Sequence, residues 1–171
     1  MLLINKVHQV KIKIATSLRE CVFTLFAGRA LNIVFGGNAQ DCGIFMDAMD
    51  QVAPGIKTST VSSSDFLIRR LTAAYPALPD IIMLDWNMPQ KGGIECLKEL
   101  RSFNKFKAIS VIMCSNTCSR LQVEDSYRHG ANRCFQKPAS FEEVKRLLRL
   151  VLATNFQQRR SVPGRAEFVL R

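Results

Sequence analysis

Three polar residues stand directly after three short, strand-like runs of the sequence. Asp85 follows the run at residues 81–84, Ser115 follows 111–114, and Lys137 follows 133–136. A carboxylate can act as a nucleophile and form an aspartyl phosphate. An ammonium group can neutralise phosphoryl oxygens, and a hydroxyl can donate a hydrogen bond to one of them. Each residue alone is more typical of a turn or a solvated loop, but together they indicate a site for phosphoryl transfer.

The elements that would position these residues alternate along the chain from residue 31 onward. Runs at residues 31–35, 56–61, 80–85, 109–114 and 133–136 predict five strands, and each is followed by a segment of helical period. Strict alternation predicts an α/β fold, a doubly wound five-stranded parallel sheet with helices on both faces. In such sheets, ligands bind at the carboxyl ends of the strands. Asp85, Ser115 and Lys137 should therefore converge on one edge.

Three motifs give the chain a family resemblance over residues 31–153. They are Leu84-Asp85-Trp86-Asn87-Met88-Pro89 with Gly92-Gly93, Val111-Ile112-Met113-Cys114-Ser115, and Gly130-Ala131-Asn132 with Phe135-Gln136-Lys137-Pro138. With these motifs at these separations, the chain resembles the receiver (CheY-like) domain of bacterial two-component response regulators. The resemblance implies a flavodoxin-like fold, βα repeated five times, with strand order 2-1-3-4-5.

The resemblance also implies roles for individual residues. Asp85 would be the phosphoacceptor, Lys137 would bind the phosphoryl group, and the Lys137–Pro138 peptide bond would be cis. Ser115 would be the switch hydroxyl, which relays the change to the face formed by the fourth helix, fifth strand and fifth helix. Asp85 and the backbone carbonyl of Asn87 would contact Mg²⁺. Any enzymatic activity would be limited to self-phosphorylation and dephosphorylation at Asp85.

The sequence departs from the family pattern at two places. Gly36 and Gly37 occupy the positions of the acidic pair that completes the Mg²⁺ site, and neither can bind a metal through a side chain. Asp41 should lie inside the first helix, a turn away from the usual ligand positions. Mg²⁺ is therefore expected to bind weakly or not at all. Cys134 takes the place of a usual aromatic switch residue, and strand alternation directs Phe135 to the opposite face.

Two hypotheses about function follow from this pattern. The first is a stand-alone receiver in a phosphorelay, which takes a phosphoryl group on Asp85 from a histidine kinase or phosphotransfer protein and signals by contact with a downstream protein. The second is a pseudo-receiver, an interaction module that works without phosphorylation because Gly36 and Gly37 replace the acidic pair. Receivers often pair through the fourth and fifth helices, so a homodimer is compatible with either hypothesis.

Charge and composition bound the remaining functions. Of the formal net charge of +10, much lies in residues 1–30, with five basic and one acidic side chain, and in residues 154–171, with four and one. We interpret these segments as a basic N-terminal extension and a basic C-terminal tail. Binding of nucleic acid or an anionic surface through these basic ends is a third and weaker hypothesis. Nucleic acid is not the favoured partner, because no reading helix or aromatic and basic stripe accompanies the charge. The chain lacks an apolar run that could span a membrane, has no signal-peptide pattern and no CxxC pair, and we expect a cytoplasmic protein with buried free thiols.

Overall fold

In the computed structural model, residues 31–73, 78–157 and 164–170 are described, and they form a parallel sheet of order β2-β1-β3-β4-β5-β6. The strands are β1 Asn32–Gly36, β2 Lys57–Val61, β3 Ile81–Asp85, β4 Ser110–Ser115, β5 Arg133–Gln136 and β6 Val169–Leu170. The helices are α1 Ala39–Val52, α2 Ser64–Thr72, α3 Gly93–Ser102, α4 Arg120–Arg128, α5 Phe141–Gln157 and α6 Arg165–Phe168, with a 3₁₀ turn at Asn104–Phe106. The predicted fold class and the order of the first five strands are confirmed.

Capping side chains and one glycine define the ends of the helices. The Asn38 side chain accepts a hydrogen bond from the backbone of Asp41 and starts α1. Ser119 and Gln122 form a reciprocal capping box at the start of α4. Gly130, two residues beyond the end of α4, has φ +83°, which glycine adopts without strain, as its position in the sequence predicted.

Side-chain alternation along the strands divides the core between the two faces of the sheet. Phe35 stacks on Phe45 of α1, and Phe45 lies 6.0 Å from Phe135 between ring centroids, so these rings form one layer under α1 and α5. Cys134 packs in the opposite layer, with residues of α2 and α3. The expected opposite orientation of Cys134 and Phe135 is therefore confirmed.

The C-terminal residues differ from the expected basic tail that starts at residue 154. Helix α5 continues to Gln157, and β6 pairs in parallel with β5, so the sheet has six strands rather than five in the described part of the chain. The physical reason is that β5 would otherwise be an edge strand with unpaired backbone groups. Phe168 and Leu170 bring apolar side chains that can be buried when that edge is covered.

Arg101 connects the loop that precedes β4 to the loop that follows α4. Its guanidinium donates hydrogen bonds to the backbone carbonyls of Gly130, Phe106 and Ile109, and to the side-chain oxygen of Asn132, at 2.8, 3.3, 3.1 and 3.0 Å. Burial lowers the pKa of Arg101. Because these four acceptors are neutral, the side chain works as a rigid multiple donor here.

The cysteines of the described ranges are free thiols, four of them buried: Cys42, Cys96, Cys114 and Cys134, with Cys118 half-buried. Burial raises the pKa of Cys42 and of Cys96 to about 11, so both stay protonated at neutral pH. Cys21 and the basic extension at residues 1–30 lie outside the described residues. Within residues 31–73, 78–157 and 164–170, no helix has the length and apolar character that a membrane span requires.

Candidate functional site

Asp85 is the last residue of β3, and its side chain is almost fully enclosed at 4% exposure. One carboxylate oxygen, Oδ1, accepts a hydrogen bond from the backbone N–H of Asn87 at 2.9 Å. The chain then turns sharply into α3, and a Cβ on Gly93 would lie only 2.0 Å from the carbonyl oxygen of Asp85. The glycine in the predicted motif is therefore required by the close approach of α3 to the strand end.

Lys137 reaches Asp85 from the end of β5. Its Nζ lies 2.6 Å from Asp85 Oδ2, and only 13% of the lysine side chain is exposed. Burial opposes the charged form of Lys137, but hydrogen bonds to Asp41 and Asp85 prevail and raise its pKa. The structure thus brings together the carboxylate and the ammonium group that the sequence placed at two strand ends.

Asp41 is a third member of this cluster, and sequence reasoning missed it. It lies in the first turn of α1, as expected, but its Oδ2 is also 2.6 Å from Lys137 Nζ and accepts a hydrogen bond from Asn38 at 2.7 Å. Burial opposes its ionisation, yet the hydrogen bonds from Lys137 and Asn38 prevail and lower its pKa. The sequence feature that could have predicted this role is Asn38, a residue type that caps helices. A helix that starts there places residue 41 above the strand ends.

The glycine positions differ in what a side chain would meet. A Cβ on Gly36 would lie 3.1 Å from Leu84 Cδ1, in the core, whereas a Cβ on Gly37 would lie 3.3 Å from Asp85 Cβ and 3.5 Å from its Oδ2. Position 37 therefore faces the carboxylate and position 36 does not. Lacking a side chain at 37, the site takes its second carboxylate from Asp41.

The carboxylate oxygens at the site are suited to a small divalent cation that takes few of its ligands from the protein. Within the described ranges, no group of three or more His, Cys, Asp or Glu side chains is placed to hold a metal ion. Asp41 and Asp85 nevertheless converge on one cation, the Lys137 ammonium. Two carboxylates suit Mg²⁺, which usually keeps several waters in its octahedron.

Ser115 lies at the end of β4, beside the end of β3, and is buried. Its Oγ accepts a hydrogen bond from Gln122 Nε2 at 3.1 Å, and its backbone carbonyl accepts one from Lys137 N at 2.9 Å. The first bond links the hydroxyl to α4, and the second fixes the end of β5 against β4. The Lys137–Pro138 bond is trans, which corrects the cis bond implied by the family resemblance.

An open groove of about 540 Å³ adjoins this cluster on the β3–α3 side. It is lined by residues of the loop after Asp85, Trp86 and Asn87 among them, and by Asn38 at the start of α1. A carboxylate next to a buried ammonium, with a groove beside them, is a set of groups that phosphoryl chemistry can use.

Comparison with known proteins gives a consistent family. A sequence profile described as "Response regulator receiver domain" matches residues 41–149. The chain is similar to the chemotaxis protein CheY1 of Helicobacter pylori strain J99, with 33% identity over 75 residues, which cover 44% of this chain and 60% of that protein. It is also similar to the CheY homolog of Campylobacter jejuni, with 30% identity over 43% of this chain and 57% of that protein. These matches thus span about three fifths of either relative.

Solved structures show the same fold. The phosphorylated cyanobacterial phytochrome response regulator RcpA superimposes with a TM-score of 0.68 and 21% identity, covering 80% of this chain and all of that chain. Response regulator RPA3017, which acts in red light signalling of R. palustris, gives a TM-score of 0.67 and 20% identity over 78% of this chain and 99% of that one. At this level of identity the likeness shows the fold alone.

Proposed function

Because the chain belongs to the family of response regulator receiver domains, we propose that it accepts a phosphoryl group on Asp85 in a two-component phosphorelay and signals by protein–protein contact. The observation that carries the proposal is the contact of 2.6 Å between Asp85 Oδ2 and Lys137 Nζ at the carboxyl ends of two strands. A buried carboxylate paired with a buried ammonium, next to an open groove, is suited to aspartyl phosphate chemistry.

The transfer would proceed from a phosphohistidine of a histidine kinase or phosphotransfer protein. A carboxylate oxygen of Asp85 forms a bond to phosphorus, the phosphorus–nitrogen bond breaks, and the imidazole leaves with the electron pair. Lys137 exchanges its bond to Asp85 Oδ2 for one to a phosphoryl oxygen and so neutralises the added charge. Ser115, one residue beyond the pairing of Asp85 with Cys114, would turn its hydroxyl to donate to another phosphoryl oxygen.

Receiver domains typically bind Mg²⁺ at an acidic pocket. In this chain Asp41, Asp85 and the backbone carbonyl of Asn87 are the groups that would hold it. Mg²⁺, when bound, would neutralise charge on the phosphoryl oxygens. Without the ion, Asp41 helps to keep Lys137 beside Asp85, and Asp41 is itself held by Asn38.

The test is intact mass spectrometry of the full chain after incubation with MgCl₂ and acetyl phosphate, and separately with a phosphorylated histidine phosphotransfer protein. We expect one phosphoryl adduct that hydroxylamine removes, as it removes acyl phosphates. Asp85→Asn should abolish the adduct, whereas Asp47→Asn, at an exposed position of α1, should retain it. An adduct that persists in Asp85→Asn would refute Asp85 as the acceptor.

A second candidate function is a pseudo-receiver that binds its partner without phosphorylation. It is favoured by one observation: Gly37 faces Asp85 but offers no ligand, while Lys137 already occupies both carboxylates. Two results together would support this candidate over the first. The chain would take up no phosphoryl group from either donor, and the wild type and Asp85→Asn would bind the same partner protein equally well.

We propose that the partners are a histidine kinase or phosphotransfer protein upstream and a protein downstream, in the cytoplasm. The receiver unit is proposed to begin at residue 31, with residues 1–30 as a separate basic extension. Binding to nucleic acid is not part of the proposal. It would show as an affinity that falls steeply with salt and depends on the basic ends of the chain.

A further inference from the structure

We propose that residues 164–170, named here the C-terminal cap, form a releasable cover over the face made by α4, β5 and α5, and that phosphorylation of Asp85 loosens it through Ser115, Gln122 and α4. The coupling rests on the proposed function, whereas the cover itself does not. The partner that would dock on the uncovered face is a protein that contacts the free edge of β5 and the flank of α4.

The cap is seated on α4 by a mixed apolar and ionic contact. The ring of Phe168, which is 1% exposed, meets Tyr127 of α4 edge to face, with 5.1 Å between ring centroids. Arg165 Nη2 lies 3.0 Å from Glu124 Oε1, and its guanidinium lies 5.2 Å from the centre of the Tyr127 ring. Two residues of α4, one turn apart, therefore hold the first part of the cap.

The cap also closes the edge of the sheet. Val169 pairs with Cys134 and Leu170 with Phe135, in parallel, so the outer edge of β5 is already hydrogen-bonded. Leu170 is buried with residues of α5, and a groove of about 590 Å³ between the cap and Pro138 includes Leu147 and Leu150. The cap therefore contacts α4, β5 and α5, and a protein that uses this face must displace it.

The size of the cap suits a segment with two states. A helix of four residues and a strand of two have little stability of their own. Their seating depends on the burial of Phe168 and Leu170, while Arg165 is 68% exposed and its ion pair is weak. A modest shift of the surface beneath the cap is therefore enough to change the balance between seated and detached states.

Gln122 provides the physical link between the site and the cap. Its Nε2 donates to Ser115 Oγ at 3.1 Å, and its Oε1 accepts from the backbone N–H of Ser119 at 3.0 Å in the capping box. One side chain thus joins the hydroxyl at the strand end to the first turn of α4. Glu124 and Tyr127, which hold the cap, lie in the same short helix.

The sequence of events follows from these bonds. A Ser115 hydroxyl that donates to a phosphoryl oxygen on Asp85 can still accept from Gln122, so Gln122 follows Ser115 Oγ as that side chain rotates toward the site. Because the same Gln122 side chain also bonds Ser119 in the capping box, its movement disturbs the start of α4 and shifts Tyr127 and Glu124 relative to β5. The seat of Phe168 and Arg165 is altered, and the cap detaches more often.

The test is hydrogen–deuterium exchange of the full chain with and without Mg²⁺ and beryllofluoride, which mimics a phosphoryl group on aspartate. Trp86 is the single tryptophan of the chain and the neighbour of Asp85, so we expect its fluorescence to change on loading. We expect exchange in the peptide covering residues 164–170 to rise at least about tenfold on loading, which corresponds to about 1.4 kcal/mol. In Gln122→Ala, the Trp86 response should remain and this rise should be lost.

Variants of the contacts that hold the cap test whether it is seated on α4 in the protein without beryllofluoride. Glu124→Gln removes the ion pair with Arg165, and exchange in the cap should increase severalfold. Arg128→Ala is the matched control, because Arg128 also binds Glu124, at 2.7 Å, but does not contact the cap, so exchange there should stay unchanged or slow slightly. Equal exchange in Glu124→Gln and wild type would overturn the role of this contact.

The outcomes separate this proposal from the proposed function. A Trp86 response to beryllofluoride with unchanged exchange at residues 164–170 overturns the coupling but leaves Asp85 as the acceptor. No Trp86 response, together with no phosphoryl adduct by mass, overturns the proposed function and the coupling with it. Loading that speeds exchange equally in wild type and Gln122→Ala overturns Gln122 as the link.

Discussion

Asp41→Asn tests whether the carboxylate contributed by α1 replaces the missing acidic side chain at position 37. Asparagine has nearly the same shape but carries no charge, so it keeps the start of α1 while removing one of the two carboxylates at the site. In the wild type, Asp41 Oδ2 and Asp85 Oδ2 each lie 2.6 Å from Lys137 Nζ. The substitution leaves Lys137 and Asp85 as a simple ion pair with no net negative charge to attract Mg²⁺.

The expected magnitude follows from the charge removed and its exposure. Two unit charges 4 Å apart interact by about 1 kcal/mol in water and by about 4 kcal/mol at an effective dielectric constant of 20. The Asp41 side chain is 34% exposed, and Lys137 competes with the metal for the same oxygen. We therefore expect a loss of about 1.4–2.8 kcal/mol in Mg²⁺ binding, which is roughly a 10- to 100-fold rise in Kd.

The assay is a titration of Trp86 fluorescence with MgCl₂, and with MnCl₂ as a second ion. Trp86 is half-buried next to Asp85, so its emission should respond to an ion bound there. Asp47→Asn is the matched control: it makes the same chemical change on an exposed position of the same helix and should keep the wild-type Kd. A Kd for Asp41→Asn within twofold of the control would refute the reasoning, because it would show that the Asp41 carboxylate is not used.

Three further predictions concern the site, the core and the cap. Gly37→Asp should lower the Kd for Mg²⁺ at least about tenfold in the same titration, since a carboxylate there adjoins Asp85, and an unchanged Kd would count against that geometry. Arg101→Lys should lower the free energy of unfolding in urea by about 2–3 kcal/mol, because lysine cannot satisfy four separate acceptors; a change under about 0.5 kcal/mol would contradict this. Hydrogen bonding to Arg128 and the charge of Arg165 lower the pKa of Glu124 from 4.5, so its contribution is complete above pH 4.5 and is lost as the pH falls through the lowered value; the difference in Tm between wild type and Glu124→Gln should shrink accordingly below pH 4.5.

The alternation of apolar runs with helical segments was enough to predict five strands in a parallel sheet, whereas the order of the strands came from the family resemblance. Each of those strands carries enough apolar residues to show its own pattern, and β5 was predicted at the residues where it lies, 133–136. Strand β6 has two residues and follows a four-residue helix, so it shows no periodicity to detect. It forms because the edge of β5 is available, which is a property of the folded sheet rather than of residues 164–170.

Asp41 escaped prediction for a related reason. Its number in the sequence is four beyond Gly37, and counting along the chain places it a turn away from the expected ligand position. In the structure the helix start at Asn38 lies at the carboxyl end of β1, so the first turn of α1 projects over the same edge as β3 and β5. The contact with Lys137 joins residues 96 positions apart, a pairing that a local pattern does not contain.

The second carboxylate of the site comes from Asp41 rather than from position 37, and this changes which cation lies next to Asp85. With an acidic side chain at position 37, a metal ion would be held directly beside Asp85. With glycine there, the nearest cation is the ammonium of Lys137, already bonded to Asp85 and, through Asp41, to the start of α1. On phosphorylation Lys137 would exchange its bond to Asp85 for one to the phosphoryl group while Asp41 keeps hold of it. The lysine would then stay beside the phosphoryl group even where Mg²⁺ is weakly bound, so Asp41 and Lys137 should be needed together, and the effects of Asp41→Asn and Lys137→Met on phosphorylation should be far from additive.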